Sequence, residues 1–202
     1  MLTVVTPATS RRLTTVEHVR ADLGLGAANP SGDVLTRMID QASQAIVTFC
    51  RREFARETVR EVFRRPGSAD ILLERDPVIS ITSAAADGGL LDPLAYEIER
   101  GELYRLQGDR RIGWRFRSLT IEYVAGYKLP GEEGTDLPAD VELAAIRLVG
   151  AALSTQGRDP LIKSEDVDGV SAITYWVPGS QSTLASPEAE LLLKPYRRML
   201  IG

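Results

Sequence analysis

The stretch LTIEYVAGYKLPGEEGTDLPADVELAAIRLV, residues 119–149, decides the fold. Its first five residues alternate between apolar and polar and predict a strand that ends in Ala-Gly-Tyr. A Pro/Gly loop then leads into a helix expected at about 138–155. Over residues 141–153 the only charged side chains are Glu142 and Arg147. A surface helix needs only one apolar stripe, so this helix is predicted either to lie at the centre of a core or to be covered by another copy of the chain.

Two further helices are predicted before the strands begin. In the first, expected at about 15–23, Thr14 and Glu17 have the spacing of a capping box. In the second, expected at about 34–52 with Asp33 as its N-cap, apolar residues recur at the i, i+3, i+4, i+7 spacing of one helix face. That face consists of Leu35, Met38, Ile39, Ala42, Ala45, Ile46 and Phe49.

Between the second and third helices, at about 57–125, the hydrophobic period changes from 3.6 to 2 and predicts roughly six short strands. One of them is expected at 114–118, the WRFRS segment. Turns at 87–89 and 100–101 are too short for parallel crossovers, so the strands are expected to be mainly antiparallel. The predicted fold class is therefore α+β: a small helical bundle with an inserted, mainly antiparallel β unit.

The C-terminal part is predicted to be an arm at 161–202, after a body at 1–160. Ser186 is expected to cap a short helix that Pro195 ends near Leu193. A helix this short does not persist alone in water, where roughly 12–15 residues are marginal, so it must pack on the body or on a partner. Both alternatives stay open, as they do for the aromatic pair 175–176, which either anchors a partner or packs back on the body.

Composition excludes several classes of protein. The 202 residues carry a net charge of −4, which argues against a protein that holds nucleic acid by neutralising phosphates. No apolar run reaches the roughly 20 residues of a membrane helix, and the N-terminus lacks the pattern of a secretory signal, so we expect a cytoplasmic protein without membrane contact. The single cysteine, Cys50, excludes an internal disulfide.

The basic residues are mostly arginines, 21 against three lysines. Guanidinium groups suit ion pairs at protein interfaces, although a GC-rich genome would give the same bias. Arg-Arg pairs stand at 11–12, 51–52, 64–65, 110–111 and 197–198.

No catalytic, cofactor or metal site is predicted. His18, the single histidine, has no cysteine or carboxylate at metal-ligand spacing, and Cys50 would need a histidine from another helix to form a nucleophilic pair, although its arginine neighbours are of a kind that lowers a thiol pKa. Gly-x-Gly-x-x-Gly, P-loop and Gly-x-Ser-x-Gly motifs are absent. The acidic clusters at 132–136 and 165–168 lack the ligand spacing of a calcium loop, so they are interpreted as solvated loops.

The order of these elements resembles the head–tail connector (adaptor) family of long-tailed bacteriophages and prophages. The resemblance spans about residues 13–200. It rests on TTVEHVRADLGL followed by DVLTRMIDQASQAIVTFCRREF, LLERDPVISITS, IEYVAGY with LPADVELAAIRLV, KSEDVDGVSAITY and the terminal EAELLLKPYRR.

The resemblance implies a virion protein at the particle neck, present in the host cytoplasm during assembly. It implies a ring of about twelve copies beneath the portal protein that extends the DNA channel and docks a tail-side stopper or tail-completion protein. It implies neither enzymatic activity nor a cofactor. A tail-completion or other neck protein is the nearest alternative; a nucleic-acid-binding module and a small enzyme are further ones.

Three sets of candidate surface residues follow. Candidates for the portal or partner interface are Tyr175, Trp176, Leu191, Leu192, Leu193, Tyr196, Arg197 and Arg198. Candidates for contacts between subunits are Ala144, Ala145, Arg147 and Gly150. A channel in which DNA slides without tight binding should not neutralise phosphates, so carboxylates are expected at its wall. Candidates for the channel lining are Glu132, Glu133, Asp136, Glu165, Asp166 and Asp168.

Overall fold

The computed structural model describes residues 1–66, 70–155, 164–167, 171–174 and 183–198. The chain divides into two compact units. The β unit comprises Met1–Ser10 and Glu53–Lys128, and the helical unit comprises Arg11–Arg52 and Leu129–Gly202. The predicted boundary at residue 160 lies outside the described residues, so the division into a body and an arm stays a prediction.

Within its described residues the helical unit contains four α-helices: α1 (Val16–Leu23), α2 (Gly32–Cys50), α3 (Ala139–Ser154) and α4 (Pro187–Leu193). All four were predicted, within one or two residues for the first three. Helix α3 packs against the other three, with α2 and α4 as its most extensive neighbours. Two short strands of the same unit, β10 (Ser164–Val167) and β11 (Ser171–Thr174), pair with each other in antiparallel orientation.

The N-terminus of α1 corrects the predicted capping box by one residue. Thr15 is the N-cap, and its side chain accepts a hydrogen bond from the backbone N–H of His18 at 3.2 Å. Thr14 is buried, and its hydroxyl donates to the Glu142 carboxylate of α3 at 3.0 Å. The pairing of Thr14 with Glu17 was therefore wrong because Thr14 is used for a contact between helices that local spacing does not reveal.

The predicted N-cap of α2 was wrong by two residues, whereas that of α4 is confirmed. Helix α2 begins at Gly32 with Ser31 as its N-cap, so Asp33 lies in the first turn and not at the cap. A carboxylate there still favours the helix, because it faces the positive end of the helix dipole. Ser186 caps α4 as predicted, accepting a hydrogen bond from the N–H of Ala189 at 3.3 Å.

The helical core is almost entirely apolar. Its fully buried side chains include Val19, Leu35, Ile39, Ile46, Cys50, Val141, Ala144, Ala145, Val149, Ala189 and Leu193. These residues come from all four helices, so α4 is part of the core of its own unit. No helix among the described residues has the length and hydropathy needed to cross a bilayer.

The described residues of the β unit form two antiparallel sheets. Its strands are β1 (Leu2–Thr6), β2 (Glu57–Arg64), β3 (Asp70–Leu72), β4 (Val78–Ala86), β5 (Gly89–Leu90), β6 (Tyr96–Glu99), β7 (Glu102–Gln107), β8 (Arg110–Ile112) and β9 (Ser118–Ala125). The first sheet has the order β1-β2-β9-β4-β5, and the second has the order β3-β7-β6 with β8 also on β7. All of these strand pairs are antiparallel, which confirms the predicted α+β class.

Several features of the β unit were not predicted, among them strand β8 and the following two. The N-terminal strand β1 pairs with β2, so the unit is not built from the insertion alone. The segment at 114–117 is not a strand, and Trp114 instead lies fully buried in the core of the β unit. Trp114 and Phe116 alternate with arginines, which is the pattern of a strand. In the structure the backbone here is irregular, and the two rings pack against the core of the β unit.

The interior of the β unit contains polar groups beside its apolar core. Glu57 and Glu61 are both 3% exposed and lie on the inner face of β2 with Val59 between them. The Glu61 carboxylate accepts hydrogen bonds from the Tyr123 hydroxyl and from the backbone N–H of Glu74, the latter at 2.8 Å. Burial raises the pKa of Glu61, with smaller opposing contributions from these two hydrogen bonds.

Candidate partner-binding surfaces

Helix α3 is covered on one side by its own chain. Ala144 and Ala145 are fully buried in the single chain, and small side chains at these positions allow close approach of neighbouring helices. Of the two sequence alternatives for this helix, the described structure therefore shows the central core helix. Ala144 and Ala145 were named as contacts between subunits, but the helices of their own unit already cover them.

The other side of α3 presents a half-buried stripe. Leu143, Arg147 and Gly150 have the i, i+4, i+7 spacing of one face and are all partly accessible. The Arg147 guanidinium forms ion pairs with Asp22 of α1 at 2.9 Å and with Glu188 of α4 at 3.1 Å. These partners, Glu188 foremost, raise the pKa of Arg147 and fix its side chain on the surface.

A shallow groove of about 480 Å³ lies between α1 and α3 beside this stripe. Its apolar floor includes Leu143 and Ile146, and its rim carries His18 and Glu142. His18 Nδ1 lies 2.6 Å from Glu142 Oε1, so the one histidine is engaged by a carboxylate 124 residues away in the sequence. Sequence reasoning missed this contact because no local signal marks it.

The C-terminal segment, residues 183–198, contacts the rest of the helical unit through a backbone hydrogen bond and a cation–ring contact. The N–H of Arg198 donates to the carbonyl oxygen of Cys50 at 3.0 Å, and the Arg197 guanidinium lies 5.2 Å from the ring centroid of Phe49. Leu193 is fully buried, whereas Leu191 is 65% exposed. The segment therefore closes its own core with one face and leaves the other face open.

The remaining interface candidates from this segment are all at least partly exposed. Leu192, Tyr196 and Arg198 are partly exposed, and Arg197 is exposed. Tyr175 and Trp176 lie outside the described residues. Leu193 was named for the partner interface, but its burial gives it a role in the core.

The environment of Cys50 differs from its sequence neighbourhood. Adjacent arginines indicated a lowered pKa, but burial raises the pKa of the thiol to about 11. Arg52 and Arg197 act in the opposite direction and are outweighed. A thiol in this state is a poor nucleophile, because the thiolate is the reactive form.

The acidic candidates for a channel lining fall into two groups. Glu132 is partly buried and Glu133 and Asp136 are exposed, on the loop before α3. Glu165 and Asp166 lie on β10, where only the backbone is described, and Asp168 lies outside the described residues. No group of three or more His, Cys, Asp or Glu side chains in the described part of the chain is placed to hold a metal ion.

These features define a two-unit α+β protein whose candidate sites are surfaces. The family model described as "Head completion protein" matches residues 12–150, more than half of the chain. The chain therefore belongs to the head completion protein family, which confirms the resemblance to phage head–tail connectors. None of the curated proteins is similar enough in sequence to match this chain.

Solved structures of similar fold come from particles of gene transfer agents (GTAs). A chain from "Virion of native gene transfer agent (GTA) particle" has a TM-score of 0.60 and 19% identity. Chains from "Neck of empty GTA particle computed with C6 symmetry" and "Neck of native GTA particle computed with C12 symmetry" each have a TM-score of 0.58 and 18% identity. Each alignment covers 100% of this chain and 98% of the other chain. At this identity the likeness shows the fold.

Proposed function

We propose that this protein is a structural component of the neck of a phage-type particle, where its copies form a ring between the portal protein and the tail. Membership of the head completion protein family over residues 12–150 carries the proposal. The shared fold with chains from particle necks supports it. In this role the protein extends the DNA channel and docks a tail-side stopper or tail-completion protein, without enzymatic chemistry. It is present in the host cytoplasm during assembly.

The contact between subunits in the proposed ring uses the half-buried stripe of α3. Leu143, Arg147 and Gly150 lie on one face and are partly accessible. A helix with so few charged residues leaves this face suited to cover by a neighbouring copy. The symmetries named for the two solved necks support a closed ring, and we extend them to about twelve copies of this chain.

The contact with the portal uses the open face of the C-terminal segment. Within the described part of the helical unit, Leu191 is the one large hydrophobic side chain that is exposed. Arg197 is exposed nearby in the sequence, and partly exposed Leu192, Tyr196 and Arg198 complete the candidate surface. Tyrosine and arginine are among the residues that dominate interface energies, and Leu191 adds an exposed apolar side chain to this surface. Tyr175 and Trp176 remain candidates for the same interface.

The wall of the channel is proposed to be acidic or neutral. Glu132, Glu133 and Asp136 on the loop before α3, together with Glu165, Asp166 and Asp168, are the candidates. Carboxylates do not neutralise phosphates, so DNA would move past them without the salt-sensitive affinity of a DNA-binding surface.

A pull-down of purified portal protein tests the proposal. Leu191→Glu should abolish portal binding at micromolar concentration, because it places a charge in the apolar centre of the contact. The matched control is Leu72→Glu, since Leu72 in the β unit is also 65% exposed. This control should bind like the wild type. Failure of the wild-type protein to bind the portal would contradict the proposed function, and equal binding by Leu191→Glu would contradict the assigned surface.

A further inference from the structure

Four exposed arginines lie at one end of the first sheet in the β unit. Arg64 ends β2 and is opposite Ser118 of β9, and the N–H of Arg65 donates to the carbonyl oxygen of Arg117 at 2.9 Å. Arg115 precedes Arg117 by two residues and is also exposed. We name this set the arginine patch: Arg64, Arg65, Arg115 and Arg117. Antiparallel pairing thus brings two separate arginine-rich segments to the same place.

Among the described residues, the patch differs from Arg60 and Arg111 of the β unit in having no carboxylate in an ion pair with its guanidinium groups. None of its four guanidinium groups forms an ion pair with the described residues. By contrast, Arg60 pairs with Glu122 at 2.8 Å, and Arg111 pairs with Glu97 at 2.7 Å and with Glu99 at 2.6 Å. The Asp87 carboxylate beside the patch is bound to backbone N–H groups and offsets only part of the four positive charges. The remaining charges repel one another, so an anionic ligand would relieve that repulsion.

The backbone that carries the patch is fixed by hydrogen bonds. The Asp87 carboxylate accepts from the N–H groups of Arg117 and Ser118, both at 2.9 Å, and the Asp87 N–H donates to the Ser118 carbonyl oxygen at 3.0 Å. Phe116 stands between Arg115 and Arg117 in the sequence, and the Arg105 guanidinium lies 4.3 Å from the centroid of its ring. The arginines are therefore presented from an ordered surface, which lowers the entropic cost of binding.

We propose that the arginine patch contacts the phosphodiester backbone of duplex DNA. Duplex DNA carries one negative charge per roughly 1.7 Å of helix axis, a density that suits several adjacent cations. Guanidinium forks bind phosphate oxygens in a bidentate manner. The chain as a whole carries a charge of −4, so a DNA contact is expected where positive charges are concentrated, as they are in the patch. The inference deepens the proposed function, in which DNA passes the ring, but its test does not require a ring.

The size of the patch predicts a contact that is weak at physiological salt. Neutralising about four phosphates gives a slope of log Kobs against log salt of roughly −3.6, or about 150-fold weaker binding at 200 mM than at 50 mM salt. Such a surface contacts DNA without immobilising it. The patch belongs to the β unit, whereas the carboxylates proposed for the channel wall belong to the helical unit, so the two assignments concern different surfaces.

Fluorescence anisotropy of the full-length protein with a labelled duplex of about 20 base pairs, titrated between 50 and 200 mM NaCl, tests the proposal. The wild type should bind at 50 mM NaCl with the steep slope given above. Arg64→Gln/Arg65→Gln and Arg115→Gln/Arg117→Gln should each reduce the magnitude of the slope by about two, because each removes two phosphate contacts. Arg64→Lys/Arg65→Lys should keep the slope, since lysine retains the charge.

The matched control is Arg60→Gln/Arg111→Gln. It lowers the net charge by the same amount as each patch variant, but it removes arginines that are already paired with carboxylates. It should leave the slope unchanged, and circular dichroism should show the same fold for all variants.

Three results would overturn the assignment. The first is no binding at 50 mM NaCl by the wild type, and the second is an equal loss in the control and patch variants, which would mean that net charge alone decides. The third is unchanged DNA binding by patch variants that no longer bind the portal, which would assign the patch to an acidic protein surface.

Discussion

The interiors of the two units are stabilised by different means. In the described part of the helical unit the buried positions are almost all apolar, with Thr14 and Ser43 as the polar exceptions. In the β unit Glu57 and Glu61 are buried, and the Tyr123 hydroxyl donates to Glu61. We therefore expect the stability of the helical unit to depend mainly on the size of its buried side chains. The stability of the β unit should also depend on backbone geometry and on the protonation of a buried carboxylate. Each dependence can be tested by substitution.

The largest effect is expected from Gly126→Ala in the β unit. Gly126 has φ +100°, and a Cβ there would lie 2.4 Å from the carbonyl oxygen of Ala55. Strain and overpacking together should lower the free energy of unfolding by about 4 kcal/mol. Gly108→Ala is the control, because Gly108 has φ +58° with nothing within 4 Å of the added Cβ. It should cost only about 1 kcal/mol. Similar costs in urea unfolding would contradict the close approach to Ala55.

The next effect is expected from Leu193→Ala in the helical unit. Leu193 is fully buried, so its truncation should cost about 3 kcal/mol in transfer and cavity terms. Leu191→Ala, at a 65% exposed position of the same helix, should change stability by less than about 0.5 kcal/mol. If the two variants melted at the same temperature, α4 would not belong to the helical core, and the C-terminal segment would be a detached arm.

A smaller effect is expected from enlarging a residue on the buried side of α3. Ala145→Leu should cost roughly 1–3 kcal/mol, because the neighbouring helices leave no space for the larger side chain. Ala139→Leu, at an exposed position of the same helix, is the control and should be close to neutral. Wild-type thermal stability for Ala145→Leu would mean that α3 is not enclosed as described.

The smallest effect is a pH dependence specific to the β unit. Burial raises the pKa of Glu61 in the folded state above its ordinary value of 4.5. The folded state therefore binds this proton more tightly than the unfolded state, and the resulting stability is complete below pH 4.5 and lost as the pH rises through the folded pKa. Relative to Glu61→Gln, the wild type should gain stability as the pH falls from 7 towards 4.5. Urea unfolding followed by Trp114 fluorescence, in a Trp176→Phe background, measures the difference; a constant difference across this range would refute the burial effect.

The comparison also explains which parts of the fold were predictable. Helices α1 to α3 follow from apolar residues at helical spacing, a signal contained within each segment. Strand β1 was missed because its pairing with β2 joins residues about 60 positions apart, and neither segment specifies its partner. The 114–117 segment was misassigned because alternation reports side-chain direction but not backbone hydrogen bonding.

The candidate surfaces were predictable only in part. The family resemblance and the apolar character of α3 were visible in the sequence, and both are confirmed. The side of α3 that faces inward was not visible, because a helix that is apolar around most of its circumference does not show which face is buried. The arginine patch has a weak sequence signal in the pair at 64–65, but only strand pairing brings that pair to Arg115 and Arg117.

The central claim is that copies of this chain form a ring on the portal. Electron cryo-microscopy of the purified portal protein mixed with this protein tests it most directly. We expect a closed ring coaxial with the portal channel, of about twelve copies, with α4 and Leu191 at the portal contact. A portal that remains bare at saturating protein concentration, with the chain present only as free monomers, would contradict the account.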